Sequence, residues 1–298
     1  MIDIHAHILA GIDDGPRSWG DALKLAKLAV QSGINTVVAT PHYQFRNTLN
    51  TRERVGVQVE QFRKMLAEQG IPLKVASGSE IMLGPGVFEH LKSQQFATIN
   101  NTGKYVLLQL PVEYLPVNVE EVILELRGRE QVPVIAHPEW NWQVIREPNS
   151  IIKLIDAGAL IQINASSLTG RSGYRAMRTA EILLLHNMAH LLASDMHCFE
   201  TRAPDMARAR RKAEKLIGIH SVKRLVEANP QKILNGEEIV VEQPLKYRRF
   251  VGSMKLSGKM FVQHLRSNYS STFRQAVEII MWQSWRRNLK INRTDLTI

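Results

Sequence analysis

The sequence predicts an α/β protein on a parallel sheet that closes, or nearly closes, into a barrel. Two observations predict it. Short apolar, often β-branched runs alternate with helical stretches seven times, which is the order of a parallel sheet wrapped by crossover helices. The chemically capable side chains gather just after those runs, at the strand ends where such barrels carry their function.

Met1 leads into a strand that delivers His5 and His7, two residues apart and so able to face the same way. Ser18 caps a helix starting near Trp19, with Leu23, Ala26, Ala29 and Val30 at helical spacing and Gly33 at its end. Ile34–Ala39 is a second strand, running into Thr40-Pro41-His42. A charged amphipathic helix over 52–69 precedes a third strand, Leu73–Ala76, which closes on Gly78-Ser79-Glu80. A short helix over 86–95 leads to Tyr105–Leu108, followed by Gln109-Leu110-Pro111. A helix over 119–129 precedes Pro133–Ala136 and His137-Pro138-Glu139. A helix over 149–157 precedes Leu160–Ile163 and Asn164, and one over 175–187 precedes His190–Ala193 and Ser194-Asp195-Met196-His197. Two helices, about 204–217 and 221–228, then end at Asn229-Pro230.

The net charge of +10 is unevenly spread. Residues 245–298 hold eleven Lys/Arg and two acids, a net +9, so residues 1–244 carry only +1. A near-neutral body argues against nucleic acid, and a basic tail points to an anionic surface or acidic partner. In that tail Phe273, Val277, Ile280, Met281 and Trp285 fit one helix side, with Arg274, Arg286, Arg287 and Lys290 around it. A partly ordered extension, a membrane-surface helix and a partner-docking helix are all compatible with this pattern. The single cysteine, Cys198, excludes an internal disulfide and fits a reducing compartment. The start lacks a signal-peptide pattern and no run is long enough to span a membrane, so the expected location is cytoplasmic, with the tail as a route to the membrane surface.

Of ten histidines, His90, His186, His190, His220 and His264 read as structural. The other five sit at strand ends. With Asp14, Glu80 and Asp195 they supply more ligands than one ion needs, enough for two or three, with Glu80 or Asp195 as bridges. Imidazole and carboxylate together suit Mn, Fe or Zn. A multinuclear site without redox ligands points to metal-assisted hydrolysis, in which the ions activate water and offset phosphoryl charge. Cys198 is a poor candidate nucleophile: a cysteine phosphatase needs an arginine six residues on, and position 204 is Pro. Arg202, one turn past Asp195 and His197, reads better as a phosphate clamp.

The runs 1–8, Asp13-Asp14-Gly15, Ala39–His42, Gly78–Ile81, Ile135–Glu139 and Ala193–His197 resemble the PHP (polymerase and histidinol phosphatase) superfamily. More narrowly, they resemble its bacterial manganese-dependent protein-tyrosine phosphatases of capsule and exopolysaccharide loci. The resemblance spans residues 1–245, leaving 246–298 as a basic extension. It implies a distorted (β/α)7 barrel with a trinuclear manganese centre held by His5, His7, Asp14, His42, Glu80, His137, Asp195 and His197. Arg202, His42 and His197 are the expected catalytic groups. The implied substrate is the tyrosine-phosphorylated C-terminal tail of a cytoplasmic tyrosine autokinase, and homo-oligomers are compatible with it. Two positions depart from the pattern. Gln109 stands for a glutamate ligand and can ligate only through a neutral oxygen, and Trp140 stands for an arginine. Two other expectations stay open: a small-molecule phosphomonoesterase of the histidinol-phosphatase kind, which the metal motifs do not separate from a phosphotyrosine phosphatase, and, from the two departures, a weakly active or inactive kinase-binding regulator.

Overall fold

The computed structural model describes residues 1–45 and 48–248. The strands are β1 (Ile2–Ala6), β2 (Thr36–Ala39), β3 (Gln44–Phe45), β4 (Thr48–Leu49), β5 (Lys74–Ser77), β6 (Glu80–Met82), β7 (Tyr105–Gln109), β8 (Val132–Ala136), β9 (Leu160–Asn164) and β10 (Leu191–Ala193). They form a parallel sheet in the order β1-β2-β5, a second in the order β10-β9-β8-β7-β6, and the small antiparallel hairpin β3-β4. The two parallel sheets meet at their edges without regular ladders. The Asp195 N–H donates to the His5 carbonyl and the His7 N–H to the Met196 carbonyl, each at 2.9 Å. On the other side, the Glu80 N–H donates to Pro41 O at 3.0 Å and the Tyr43 N–H to Glu80 O at 2.8 Å. The expected distorted barrel therefore takes its distortion at two seams, and both seams carry candidate site residues.

The third expected strand is broken. Residues 74–77 pair with β2, then the chain jogs at Gly78-Ser79 and residues 80–82 pair with β7. A Cβ on Gly78 would lie 2.9 Å from Val38 Cγ1, so the jog requires the close approach that glycine permits. The break turns Glu80 from a strand-end residue into the first residue of a new strand.

The helices are α1 (Trp19–Gln31), α2 (Arg52–Glu68), α3 (Val87–Ser93), α4 (Val119–Gly128), α5 (Trp142–Arg146), α6 (Ile152–Asp156), α7 (Ala165–Thr169), α8 (Tyr174–Leu185), α9 (Met206–Ile217), α10 (Ile219–Lys223) and α11 (Asn229–Asn235). Ser18 caps α1 as expected, its hydroxyl accepting from the Asp21 N–H. The 149–157 helix is a 3-10 turn followed by α6. The chain does not stop at Asn229-Pro230: a π-helical turn over 224–228 runs directly into α11, and Pro230, which has no N–H to donate, sits just after that wider turn. The hairpin, α5 and α7 were not expected, being short segments with too little periodicity to show.

The sheet residues alternate between two cores. Ile4, Val38, Leu107, Val134 and Leu191 pack inside with Tyr105, while Val37, Leu108, Ile135, Ile161 and Leu192 pack outward with the helical Leu25, Phe62, Ile123 and Leu183. The chain remains on the body beyond residue 245. Tyr247 packs on the outer core, and its N–H donates to Asn149 Oδ1 at 2.8 Å. The tail helix expected over 273–290 lies outside the described residues. Among those described, no helix is long and apolar enough to cross a membrane.

His190, read as structural, is buried, and its Nδ1 accepts the Ile161 N–H at 2.9 Å. That bond requires a bare Nδ1, and burial pushes the imidazole pKa down from 6.5 to about 4. A depressed folded-state pKa means stability that is present above pH 6.5 and lost as pH falls toward 4. Between pH 7 and 5 the loss is about 2 kcal/mol. Urea unfolding in chelator should show that the parent loses about this much more than His190→Asn over that interval; parallel pH slopes would refute the assignment.

Candidate metal centre

Eight side chains predicted as ligands converge at one end of the barrel in three overlapping groups. His7, Asp14, His42 and His197 form one, His5, His7 and Glu80 a second, and His5, His137 and Asp195 the third, with ligand atoms in each group within 4.8 Å of one another. His5 and His7 each belong to two groups. The first group is open to solvent, with the Asp14 side chain 42% and that of His42 20% exposed. The other two are buried. A substrate therefore reaches the centre at its Asp14 and His42 edge.

Backbone geometry places these groups. His137 follows β8 at φ 32° and Asp195 lies just past β10 at φ 51°. Left-handed backbone at non-glycine residues costs roughly 1–3 kcal/mol each and persists where the surroundings enforce it. The Asp13-Asp14-Gly15 turn folds back on β1, and a Cβ on Gly15 would stand 2.6 Å from the His7 carbonyl oxygen.

A directed hydrogen-bond chain orients His5. The Asp195 carboxylate can only accept, so the contact at 2.8 Å comes from the Asn164 amide Nδ2. Asn164 Oδ1 then accepts from Gln162 Nε2 at 2.7 Å, which turns Gln162 Oε1 toward His5 Nδ1 at 2.9 Å. His5 must therefore carry a proton on Nδ1, so that Nε2 faces the cluster and is bare whenever the ring is neutral. Asp13 does the same for His7, accepting from its Nδ1 at 2.6 Å. The two Nε2 atoms, both bare in these neutral tautomers, lie 3.3 Å apart. That contact is repulsive unless a cation or a proton sits there, and the donor set fits a metal. Neither Gln162 nor Asn164 was singled out as a site residue. Their signal was two amides at i, i+2 in an otherwise apolar strand, Leu160-Ile161-Gln162-Ile163-Asn164. Asp13 was noted only as part of a motif.

The electrostatics point the same way. Burial opposes charge on Glu80, yet the charge of His5 and hydrogen bonds from His137, His42 and His5 hold it well below the usual carboxylate range. Asp14, despite its desolvation, is likewise held far down by His197 and His42. Asp195, also opposed by burial, is brought to about 2 by His5, His137 and Arg202. Burial lowers histidine pKa values, but Asp13 and Glu80 raise His7 well above its ordinary value, and Asp14 and Glu80 take His42 to about 9. His197 goes the other way: burial and the neighbouring His7 charge push it to about 4. Its Nε2 stands 3.2 Å from Asp14 Oδ1 and has no hydrogen-bond partner. Without metal, imidazolium protons balance the carboxylates; metal binding would displace those protons.

The remaining predicted residues fall around this cluster. Arg202 joins its two levels, with Nη2 2.8 Å from Asp195 Oδ2 and Nη1 3.7 Å from Asp14 Oδ2. Gln109 continues the interior face of Tyr105 and Leu107, in register with Ala136 beside His137. Its buried Oε1 has no hydrogen-bond partner. Trp140 stacks on His137 at 4.6 Å, donates from Nε1 to Ser167 Oγ at 2.8 Å, and lies 5.9 Å from the Arg202 guanidinium. Cys198 is outside all three ligand groups; its Sγ lies 3.1 Å from Thr201 Oγ1.

Residues 1–235 match the family described as capsular polysaccharide synthesis, CpsB/CapC. The chain is 34% identical to the tyrosine-protein phosphatase YwqE of Bacillus subtilis, over 85% of this chain and 99% of that one. It is 30% identical to the putative tyrosine-protein phosphatase CapC of Staphylococcus aureus, with the same coverage. It is 28% identical to the tyrosine-protein phosphatase CpsB of Streptococcus pneumoniae, over 78% of this chain and 98% of that one. A crystal structure from a study of YwqE and CpsB, described as unique metal-dependent tyrosine phosphatases, superposes with a TM-score of 0.80 at 32% identity, over 84% of this chain and all of the other. A match over nearly the whole described body, with relatives aligned almost end to end, places this chain in the CpsB/CapC family.

Proposed function

We propose that this protein is a manganese-dependent protein-tyrosine phosphatase. In this reading it removes phosphate from the C-terminal tail of a bacterial tyrosine kinase that controls capsular or exopolysaccharide synthesis. The carrying observation is the convergence of five imidazoles and three carboxylates at one barrel end, with Arg202 at its solvent-facing edge. His5, His7, Asp14, His42, Glu80, His137, Asp195 and His197 would hold two or three ions, with the unpartnered Oε1 of Gln109 as a neutral further donor. Manganese is favoured over iron or zinc by the resemblance, and the oxygen and nitrogen donors are compatible with all three. When bound, such ions acidify water and offset the charge of a phosphoryl group.

The protein's own groups then have distinct tasks. Arg202 turns its guanidinium to the phosphate oxygens. Asp13 and Gln162 keep the protons of His7 and His5 on Nδ1, so that both Nε2 atoms face the centre. His42 and His197 flank the exposed Asp14, the open edge at which the phenolate leaving oxygen would depart and take a proton from solvent water. Trp140 forms a flat wall against which an aromatic ring packs. Trp142, in the cavity wall and largely exposed, favours a peptide over a small phosphomonoester. A cytoplasmic enzyme meeting a kinase at the membrane face agrees with the basic tail.

Hydrolysis of a phosphotyrosine peptide should require Mn²⁺, stop in chelator and be lost in His7→Ala. It should survive thiol alkylation and Cys198→Ala. Loss of activity in Cys198→Ala with its metals retained would sink the reading, and turnover confined to small phosphomonoesters would transfer it to the alternative substrate class.

Arg202→Ala removes one charge-assisted contact, and kcat/KM should fall roughly 10- to 100-fold. Metal content should stay unchanged. An unaltered rate would remove Arg202 from the phosphate site.

Gln109→Glu adds an anion to the ligand shell. The Mn²⁺ concentration giving half-maximal activity should fall by about tenfold, equivalent to ~1.4 kcal/mol. No change would show that position 109 does not reach the metal.

A further inference from the structure

A cavity of about 480 Å³ adjoins the metal centre at Asp195 and Arg202. That volume lies in the range that holds a drug-sized ligand and exceeds what one aromatic side chain fills. Its charge is unbalanced. Arg171, Arg175 and Arg202 line it, against the single carboxylate of Asp195, which Arg202 already engages at 2.8 Å. Arg171 donates to the neutral Thr201 carbonyl at 2.7 Å. Among the described residues neither Arg171 nor Arg175 is in an ion pair. Aromatic surface is part of the same wall: Trp142 lines the cavity and is 57% exposed. Two uncompensated guanidiniums beside an exposed aromatic ring suit an anion carried on an extended chain.

We propose that Arg171 and Arg175 form a specificity subsite for a second anion on the substrate peptide, a carboxylate or a second phosphate within a few residues of the phosphotyrosine being cleaved. This rests on the phosphotyrosine reading above. The reacting phosphate belongs to Arg202 and the metal ligands, so the two arginines serve a separate group and set affinity instead of chemistry.

The test uses the metal-loaded protein and fluorescent peptides in which phosphonomethyl-phenylalanine, which is not hydrolysed, replaces phosphotyrosine. Three flanks are compared by anisotropy: neutral, glutamate, and a second phosphonate. The anionic peptides should bind roughly 3- to 10-fold more tightly than the neutral one, the scale of exposed ion pairs. The advantage should shrink as salt rises. Arg175→Gln should reduce it and the double variant Arg171→Gln/Arg175→Gln should abolish it, with affinity for the neutral peptide unchanged. A gain with glutamate identifies a carboxylate as sufficient; a gain confined to the second phosphonate identifies phosphate. Equal affinities for all three peptides in the parent, or an advantage that survives in the double variant, would overturn the subsite. Failure of the phosphotyrosine reading shows separately, as absence of turnover of a neutral-flanked phosphotyrosine peptide.

Discussion

Four carboxylates, Asp13, Asp14, Glu80 and Asp195, gather at one end of the barrel, three of them nearly or wholly buried. An unpaired buried anion costs several kcal/mol, so this end of the fold is stable only with positive charge among them. Imidazolium protons can supply it, as the raised pKa values of His7 and His42 show, and metal ions supply it better. The relay from Asp195 through Asn164 and Gln162 to His5 makes the arrangement directional. Each amide has one orientation that satisfies both neighbours, so the carboxylate at one end determines which histidine nitrogen is bare at the other. The polar core of this barrel is thus wired toward a cation before any substrate arrives.

The rest of the fold accommodates that constraint. A parallel barrel brings its strand ends to one face, and the irregularities of this one bring their side chains within ligand distance of one another. The jog at Gly78-Ser79 lets β6 begin at Glu80, so a carboxylate reaches His5 in β1 and His7 just past it (3.4 Å each) and also His42 (3.0 Å) and His137 (3.1 Å). The left-handed residues His137 and Asp195 place their side chains in the buried part of the cluster at the cost of local strain. Both barrel seams are irregular because they carry ligands: β1 meets the Asp195–Met196 segment on one side and Glu80 meets the Pro41–Tyr43 segment on the other.

What the sequence made legible follows from the range of each signal. Strands and long helices announce themselves through local periodicity, so α1, α2, α4 and α8 lie within a residue or two of expectation. The convergence of the eight candidate ligands was also legible, because a parallel barrel carries every strand end to the same face. The broken third strand was not: its cause is a close approach of Gly78 to Val38, a contact forty residues apart in the chain. The partners of the ligands were hidden for a similar reason. Gln162 and Asn164 look like ordinary polar interruptions until the fold sets them between Asp195 and His5.

Gln109 and Trp140 gain meaning from their surroundings. Against the family pattern, one position gives up a negative ligand and the other a positive arginine, so the two changes together leave the local net charge unaltered. A lone loss of the glutamate would leave excess cation around the bound ions, and a lone loss of the arginine would leave the phosphate facing excess anion. Making both neutral avoids either imbalance. The structure shows where the burden moves. Trp140 does not leave a gap: it stacks on His137 and hydrogen-bonds Ser167, so it holds a ligand in place in a position where an arginine would hold substrate. Arg202 is tied to Asp195 at 2.8 Å, so in the proposed reaction a phosphate would have to compete with that carboxylate for it. The other cations lining the cavity, Arg171 and Arg175, face no such competitor, which is why the proposed second-anion subsite is placed on them.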